Sequence, residues 1–246
     1  MAKFAVILPA AGRSSRFGEK EKKPFVALDG RAVWQRSAEL FANRDDVIQT
    51  ILIIAAEDRE MVETRYRANL MFMGIKLVEG GAERFESVAK AIETVSPDAD
   101  FIAVHDSVRP CTQTEQIDRV FQAAAQFGAA MLAVPVADTL KRIGEDQKVA
   151  QTVSRKGLWQ AQTPQVARAD WLREAYARRS EAQGEITDDA QLLEAIGKPV
   201  VLVNGSSTNL KITTKEDLIM AEAVLKSKLH VKTPRQIHPF AEDQSW

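Results

Sequence analysis

Short, continuous apolar runs that alternate with helix-like stretches constrain the fold of this chain more than any other feature. The first run, FAVIL at residues 4–8, ends at Pro9. Continuous apolar runs of this length indicate strands that are buried on both faces, as the strands of parallel sheets are. Similar runs lie at 50–55, 75–78, 101–104, 129–134 and 200–203.

Helix-like stretches separate these runs. Strands that alternate with helices are joined by right-handed crossovers, which predicts an α/β fold with a mostly parallel sheet and helices on both faces. In such sheets ligands bind beyond the carboxyl ends of the strands, so functional residues are expected there. We expect a single domain over residues 1–231, with helices at about 32–43, 58–70, 84–95, 114–127, 168–181 and 215–229.

Residues 138–155 interrupt the alternation. Two polar runs of β-forming residues flank the turn sequence GEDQK at 144–148, which predicts a hairpin. Because it is too polar for a core hairpin, we expect an arm over about residues 136–160 that projects from the domain and packs on a partner subunit. A solvated surface hairpin is the alternative. Residues 232–246, with two prolines and scattered charge, are expected to form a C-terminal tail.

The charge balance limits the classes of partner. Lysine and arginine number 33 and aspartate and glutamate 34, for a net charge of −1, which argues against a general nucleic-acid binder. Cys111 is the only cysteine, so neither a disulfide within the chain nor a cysteine-rich metal site is expected. The N-terminal apolar run is too short for a signal peptide or a membrane span, so we expect no membrane association and a cytoplasmic location.

The loop after the first strand, PAAGRSSRFGEKEKKPF at 9–25, has the composition of a phosphate-binding loop. Its small residues, among them Ala10, Ala11 and Gly12, allow a ligand to approach backbone N–H groups. Arg16 and Lys23 add positive charge on either side of the turn. The loop has the glycine spacing of neither the dinucleotide fingerprint nor the P-loop. An ordinary strand-to-helix turn followed by a solvated charge run is the alternative.

A second group of chemically active residues, HDSVRP at 105–110, directly follows the apolar run at 101–104. Asp106 is placed to hold Mg²⁺ or a substrate hydroxyl, and Arg109 to bind an anion. An internal ion pair between these two side chains that braces the loop is the alternative. His105 is more typical of a structural histidine than of a catalytic base.

Three further segments carry candidate residues. GGAERFESV at 80–88 offers backbone groups at Gly81 and the hydroxyl of Ser87 for base or ribose recognition. A tight connection from strand to helix without a binding role is the alternative interpretation of this segment. In NLKITTKEDL at 209–218, Thr213 and Glu216 form a capping-box pattern. Lys211 lies in an otherwise apolar run there, so an anionic partner is expected. WQAQTPQ at 159–165 is predicted to be a polar interruption of the strand–helix pattern, rich in side-chain hydrogen-bond donors.

Taken together and in order, these segments resemble a known family. The motifs are AAG-x-x-x-R, GGAERFESV, VHDSVRP, DTLKR, SRKGLWQAQTPQ, ITDDAQLLE and NLKITTKEDL. They are similar to those of the 2-C-methyl-D-erythritol 4-phosphate cytidylyltransferases of non-mevalonate isoprenoid synthesis, over roughly residues 4–229. The resemblance implies a Rossmann-like nucleotidyltransferase that transfers CMP from CTP to 2-C-methyl-D-erythritol 4-phosphate and releases pyrophosphate. It also implies a homodimer in which the hairpin arm reaches the partner subunit.

The resemblance also implies roles for individual residues. Arg16 and Lys23 would stabilise charge at the α-phosphate and the leaving group, and Lys211 and Arg155 would position the acceptor, Arg155 from the partner's arm. Mg²⁺ would bridge the triphosphate oxygens, with Asp106 as the one candidate protein ligand. The residues expected to contact CTP are Ala10, Ala11, Gly12, Gly81, Ser87 and Arg109, and those expected to contact the acceptor are Asp106, Thr139 and Thr163.

The sequence departs from the family pattern at three places. Ser14 replaces the second glycine of the first loop, Ala82 replaces an aspartate, and Pro24 follows Lys23 where a proline usually precedes the lysine. Two other functions stay open at this point. A cytidylyltransferase for ribitol phosphate or another polyol phosphate would share most of these motifs, and a nucleotide-binding regulator without turnover would share some of them.

Overall fold

The computed structural model describes residues 1–12, 22–182 and 185–231, the last four of these without their side chains. Arg16, Ser14 and the tail at 232–246 lie outside the described residues. The described strands are β1 (Phe4–Pro9), β2 (Ala27–Leu28), β3 (Arg31–Ala32), β4 (Val47–Ile54), β5 (Ile75–Glu79), β6 (Phe101–Val104), β7 (Ala129–Pro135), β8 (Leu140–Ile143), β9 (Val149–Val153), β10 (Trp159–Arg168) and β11 (Val201–Asn204). The helices are α1 (Val33–Glu39), α2 (Arg59–Arg65), α3 (Arg67–Phe72), α4 (Arg84–Glu93), α5 (Thr114–Phe127), α6 (Ala169–Ala177), α7 (Asp189–Ala195) and α8 (Lys215–Val231), with short 3₁₀ turns at Lys23–Phe25, Ala56–Asp58 and Arg179–Glu181.

Within these ranges, seven strands form one sheet in the order β11-β7-β10-β6-β1-β4-β5. All its neighbouring strands are parallel except β10, which runs antiparallel to both β6 and β7. The prediction of a mostly parallel α/β sheet is therefore confirmed. The carboxyl ends of β5, β4, β1 and β6 lie side by side, so the loops that follow these strands meet at one edge.

Apolar side chains fill both faces of the sheet. Val6 and Leu8 of β1 belong to a core cluster with α1, α2, α3 and α5, whereas Ala5 and Ile7 belong to a second cluster with α4, α6 and α7. Successive side chains of a strand point to opposite faces, so a run without polar residues serves both clusters. This is why the strand runs in the sequence are continuous rather than alternating.

Strand β10 corrects the interpretation of residues 159–165. They form the first part of a central strand rather than a break, with a register shift between Ala161 and Gln165. The polar side chains are tolerated because they are hydrogen-bonded: Gln162 Nε2 donates to the carbonyl of Ser206 at 2.8 Å, and Asn209 Nδ2 donates to the carbonyl of Thr163 at 3.0 Å. Buried polar groups with partners do not disrupt a core.

Several helix bounds also differ from the sequence prediction. The expected helix at 58–70 is two helices that meet at Tyr66, and α6 ends at Ala177, before the expected residue 181. Helix α7 was not predicted. The cap of α8 lies one residue later than expected: the carboxylate of Asp217 accepts from the backbone N–H groups of Thr213 and Thr214, and Thr214 Oγ1 accepts from the N–H of Asp217.

The predicted hairpin is present as β8 and β9, which pair with each other and with no strand of the main sheet. Its turn closes where the N–H of Gly144 donates to the carbonyl of Lys148 at 2.9 Å. Trp159 pairs with Pro135, so the hairpin leaves the sheet where β7 ends and returns where β10 begins. Two large apolar side chains, Ile143 and Val149, are exposed on it. Among the described helices, none combines the length and the apolar character needed to span a membrane.

Candidate functional site

A cavity of about 450 Å³ lies at the carboxyl edge of the sheet, where the loops after β1, β4, β5 and β6 meet. Four of the predicted segments contribute to its wall, although they are far apart in the sequence: 9–25, 80–88, 105–110 and 209–218. The lining residues are Pro9, Ala10, Ala11, Gly12, Lys23, Pro24, Ala55, Glu57, Gly81, Ala82, Glu83, Arg84, Ser87, Asp106, Ser107, Val108 and Lys211.

The turn between β5 and α4 forms a closely packed wall of the cavity. The N–H of Gly81 donates to Ser87 Oγ at 2.9 Å, and Ser87 Oγ donates to the carbonyl of Glu83 at 3.0 Å. A side chain at Gly80 would meet Ser87 Oγ at 2.6 Å and Ala11 Cβ at 2.9 Å. The glycine is therefore required by packing between the two loops, and Ser87 braces the turn from inside the wall.

The loop after β1 differs from the prediction in one respect. The backbone N–H of Ala10 donates to the carbonyl of Ile53 at 2.7 Å, so this amide extends the sheet and is not available to a phosphate. Ala10, Ala11 and Gly12 all line the cavity. In the described part of the loop, their small side chains allow a ligand to approach the backbone closely.

Lys23 reaches the cavity from a 3₁₀ turn that is anchored on both sides. Phe25 at the end of that turn is 1% exposed. Lys22 Nζ lies 2.7 Å from a carboxylate oxygen of Glu57 and 2.7 Å from one of Asp58, the side chains that follow β4. The lysine found where the family usually has proline therefore fastens the segment that carries Lys23.

Asp106, in the loop after β6, lines the cavity. One of its carboxylate oxygens accepts from Arg109 Nε at 3.1 Å and lies 3.1 Å from Lys211 Nζ. Burial opposes ionisation of Asp106, but the charges of Lys211, Arg109 and Arg84 outweigh it and hold the pKa of Asp106 well below its ordinary value. The expected anionic partner of Lys211 is thus Asp106, although the Lys211 side chain is 42% exposed rather than buried.

Arg109 does not line the cavity. Its side chain is buried, and Nη1 donates to the carbonyl of Asn209 at 2.7 Å. This geometry favours the alternative in which Arg109 braces the loop through Asp106. Asn209, fully buried, also accepts from Thr112 Oγ1 at 2.8 Å, so the loop after β6 and the segment before Lys211 are held together.

His105 is fully buried and belongs to a directed chain of hydrogen bonds. Its Nε2 lies 3.2 Å from the carbonyl of Arg109, which can only accept, and its Nδ1 lies 3.2 Å from Thr163 Oγ1. A neutral histidine with the proton on Nε2 satisfies both contacts, and Thr163 Oγ1 in turn accepts from the N–H of Asp106 at 3.0 Å. Burial lowers the pKa of His105 to about 4. His105 and Thr163 therefore support Asp106 from behind, in agreement with a structural histidine.

Four of the predicted site residues do not line this cavity, and a fifth lies outside the described residues. Arg109 and Thr163, which were expected to contact CTP and the acceptor, lie buried behind Asp106. Thr139 and Arg155 are on the hairpin arm and do not line the cavity of their own chain. Arg16 lies outside the described residues. Sequence reasoning missed Arg84, which lines the cavity and pairs with Asp189 at 2.7 Å. The motif ITDDAQLLE, which contains Asp189, was the available signal.

A family model described as "IspD: 2-C-methyl-D-erythritol 4-phosphate cytidylyltransferase" matches residues 4–227. The chain belongs to this family. A 2-C-methyl-D-erythritol 4-phosphate cytidylyltransferase of Rhodopirellula baltica is 43% identical over 235 residues, 91% of this chain and 95% of the relative. A bifunctional enzyme IspD/IspF of Desulfotalea psychrophila is 39% identical and is matched over 96% of this chain and 59% of its own length.

Solved structures of the same family share the fold. The 2-C-methyl-D-erythritol 4-phosphate cytidylyltransferase of Thermus thermophilus has a TM-score of 0.74 and 32% identity, with 92% of this chain and all of that chain covered. A 4-diphosphocytidyl-2C-methyl-D-erythritol synthase of Anaerococcus prevotii has a TM-score of 0.76 and 27% identity, with 92% and 96% covered. Membership of the 2-C-methyl-D-erythritol 4-phosphate cytidylyltransferase family and the nucleotidyltransferase fold are both confirmed.

Ala82, where the 2-C-methyl-D-erythritol 4-phosphate cytidylyltransferase pattern has aspartate, lies on the cavity wall. Its backbone N–H donates to the carboxylate of Glu86 at 2.9 Å. A carboxylate therefore still contacts the backbone of this turn, although residue 82 itself has none. Of the other two departures, Pro24 lies within the turn that carries Lys23, and Ser14 lies outside the described residues.

The buried neutral His105 predicts a dependence of stability on pH. The unfolded chain binds a proton at His105 near pH 6.5 and the folded chain only near pH 4, so the unfolded state binds more protons between these values. The free energy of unfolding should therefore fall as the pH is lowered through this window, by at most about 3 kcal/mol from this residue. Urea denaturation at several pH values measures it.

His105→Gln, which has no group that titrates in this window, is the matched variant. The carboxylates titrate in both proteins, so the difference between the two pH profiles isolates His105. The free energy of unfolding of the wild type minus that of the variant should decrease as the pH falls from 6.5 to 4. Parallel profiles over the whole window would contradict the assignment of a buried, neutral His105.

Proposed function

We propose that this chain transfers CMP from CTP to 2-C-methyl-D-erythritol 4-phosphate, giving 4-diphosphocytidyl-2-C-methyl-D-erythritol and pyrophosphate. One observation carries the proposal beyond family membership: a single cavity is lined both by Lys23 and by the Asp106–Lys211 pair. Two lysines in one cavity suit a reaction in which two phosphate-bearing substrates meet, because each anion needs its own positive partner.

The reaction is an attack of one phosphate on another. An oxygen of the acceptor phosphate forms a bond to the α-phosphorus of CTP, the bond from that phosphorus to the β-phosphate oxygen breaks, and pyrophosphate leaves with the electron pair. Negative charge increases on the transferred group and the leaving group, so catalysis depends on positioning and on charge stabilisation rather than on a covalent nucleophile.

Each cation has a distinct role in this proposal. Lys23, with Arg16, stabilises the charge around the α-phosphate and pyrophosphate. Lys211 binds the acceptor, and its orientation is set by Asp106 at 3.1 Å. Asp106 stays ionised because Lys211, Arg109 and Arg84 keep its pKa low, so Lys211 retains a fixed anionic anchor at neutral pH.

The base of CTP fits the wall formed by the turn after β5. We expect backbone groups near Gly81 and Ala11 to recognise the amino and carbonyl groups of cytosine. Gly80 and Gly81 pack against Ser87 and Glu86 so closely that added side chains would clash. A rigid, closely packed turn is suited to reading the edge of a planar base.

Mg²⁺ is proposed as the metal cofactor. Among the described residues there is no group of three or more His, Cys, Asp or Glu side chains arranged to hold a metal ion. The cavity wall offers the carboxylate of Asp106, and Mg²⁺ in nucleotide sites takes one or two carboxylates together with phosphate oxygens. When bound, the ion would neutralise charge on the triphosphate, with Asp106 as its candidate protein ligand.

A homodimer that shares its active sites is proposed from the position of the arm. Thr139 and Arg155 are predicted to contact the acceptor, yet neither lines the cavity of its own chain. Ile143 and Val149 expose apolar surface on the arm, 60% and 62% of each residue, as expected of a segment that packs on another subunit. The arm then places Arg155, whose planar fork can grip a phosphate, at the partner's cavity. We also propose a cytoplasmic location.

We predict that purified protein releases pyrophosphate from CTP in the presence of 2-C-methyl-D-erythritol 4-phosphate and Mg²⁺. CTP should be preferred to UTP and ATP, and this acceptor to ribitol 5-phosphate. A coupled pyrophosphate assay over all combinations measures both choices. Equal turnover of the three nucleotides would contradict cytidylyl transfer, and a preference for ribitol phosphate would reassign the acceptor. Binding of CTP without turnover of any acceptor would favour a regulator.

The shared site predicts complementation between two inactive variants. Lys23→Ala removes a cation from the cavity, and Arg155→Ala removes one from the arm; each should lower kcat by about 10²–10³-fold. A mixed dimer combines both defects in one site and leaves the other site intact. Activity should therefore return to about half of the wild-type value per heterodimer.

Two controls make this experiment decisive. Lys156→Ala alters the neighbouring exposed cation of the arm and should keep wild-type activity. Subunit exchange is followed by differently tagged chains. If exchange is complete and no activity returns, the arm does not serve the partner's site.

A further inference from the structure

The motif ITDDAQLLE at 186–194 has no role in the functional account so far. Its two aspartates have different structural roles. Asp188 caps α7 by accepting from the N–H of Gln191 at 3.0 Å and also accepts from Gln165 Nε2 at 3.0 Å. Asp189, which is 1% exposed, points the other way, into the region between α6 and α4.

Asp189 holds Arg84 in a bidentate ion pair. Arg84 Nη2 donates to Oδ2 at 2.7 Å and Nη1 donates to Oδ1 at 3.3 Å. The hydroxyl of Tyr176 donates to Oδ1, and the N–H of Asp189 donates to Gln165 Oε1 at 3.0 Å. The charge of Asp189 raises the pKa of Arg84 above its ordinary value despite burial. A fork held at two points cannot rotate freely, so Arg84 is fixed in the cavity wall.

The location of Arg84 separates it from the other cations of the cavity. It is the first residue of α4, three residues after Gly81 and three before Ser87, in the turn proposed to receive the nucleoside. Asp189 balances its positive charge at 2.7 Å, as Asp106 does for Lys211 at 3.1 Å, so what distinguishes Arg84 is its place in the turn proposed to receive the nucleoside. The two contacts with Asp189 use two of the five N–H groups of the Arg84 guanidinium. The ion pair as a whole carries little net charge, and the remaining N–H groups can donate to a ligand.

We infer that Arg84 is a further nucleotide-binding residue that donates hydrogen bonds to the neutral sugar–base half of CTP, and that Asp189 is the residue that positions it. This inference rests on the proposed use of CTP. Tyr176 is a second positioning residue, since its hydroxyl holds the same carboxylate oxygen as Arg84 Nη1. The residues of α7 thereby act on the cavity although they do not line it.

The test is calorimetric titration with two probes, CTP and inorganic tripolyphosphate, which has the phosphates but no nucleoside. Arg84→Met should weaken CTP binding by about 10-fold, the value of a hydrogen bond to a charged group, and leave tripolyphosphate binding within twofold. Asp189→Asn should weaken CTP binding in the wild-type background and have no further effect when combined with Arg84→Met. This loss of additivity is expected only if Asp189 acts through Arg84.

Asp170→Asn is the matched control, because Asp170 is an exposed carboxylate paired with Arg168 at 2.9 Å; it should leave both affinities unchanged. The melting temperature of every variant is measured in parallel. If Asp189→Asn does not fold, Tyr176→Phe replaces it, and if Arg84→Met does not fold, the double variant, which removes both members of the ion pair, replaces it.

Three results would overturn the inference. They are wild-type CTP affinity in Arg84→Met, an equal loss of tripolyphosphate and CTP affinity, and additive effects of the two substitutions, which would make Asp189 a purely structural residue. Failure of the wild-type protein itself to bind CTP is a different outcome, because it would contradict the proposed function as well.

Discussion

The ionised carboxylate of Asp106 is the interaction on which the geometry of the cavity depends. It lies almost buried between Arg109 and Lys211, with each cation 3.1 Å away. A buried carboxylate without partners is costly, and one with two cationic partners fixes the position of both. Asp106 thus joins the loop after β6 to the segment before α8, about one hundred residues later in the chain. Lys211 reaches the cavity as part of this network, so one side chain links the sheet edge to the lysine proposed to bind the acceptor.

The antiparallel strand β10 supplies the support behind Asp106. Thr163 accepts from the N–H of Asp106 and donates to His105, which stays neutral in its buried position. In a sheet made only of parallel strands, a crossover would be needed to bring these groups together. The inserted strand instead passes directly between β7 and β6 and leads back from the arm. Strand β10 therefore connects the arm, the core and the hydrogen bonds that support Asp106.

Much of the fold followed from local patterns, because buried parallel strands and their helices have characteristic runs and periods. The loops that form the cavity were also predictable, since parallel strands end at one edge. The polar strand β10 was not predictable, because the hydrogen-bond partner of Gln162 is the carbonyl of Ser206, 44 residues away. Arg84 was missed for the same reason, as Asp189 is 105 residues distant. The bond from Ala10 N–H to Ile53 shows that a loop composition alone does not tell which amides remain for a ligand.

The most direct test of the central claim is the kinetics of Asp106→Asn, which keeps the size of the side chain and removes its charge. If the carboxylate holds Lys211 for the acceptor, kcat/KM for 2-C-methyl-D-erythritol 4-phosphate should fall by about 10²-fold. CTP affinity, measured by calorimetry without Mg²⁺, should change much less, because the nucleotide is proposed to bind at Lys23 and at the turn after β5 rather than at Asp106. Wild-type kcat/KM for the acceptor in this variant would contradict the account.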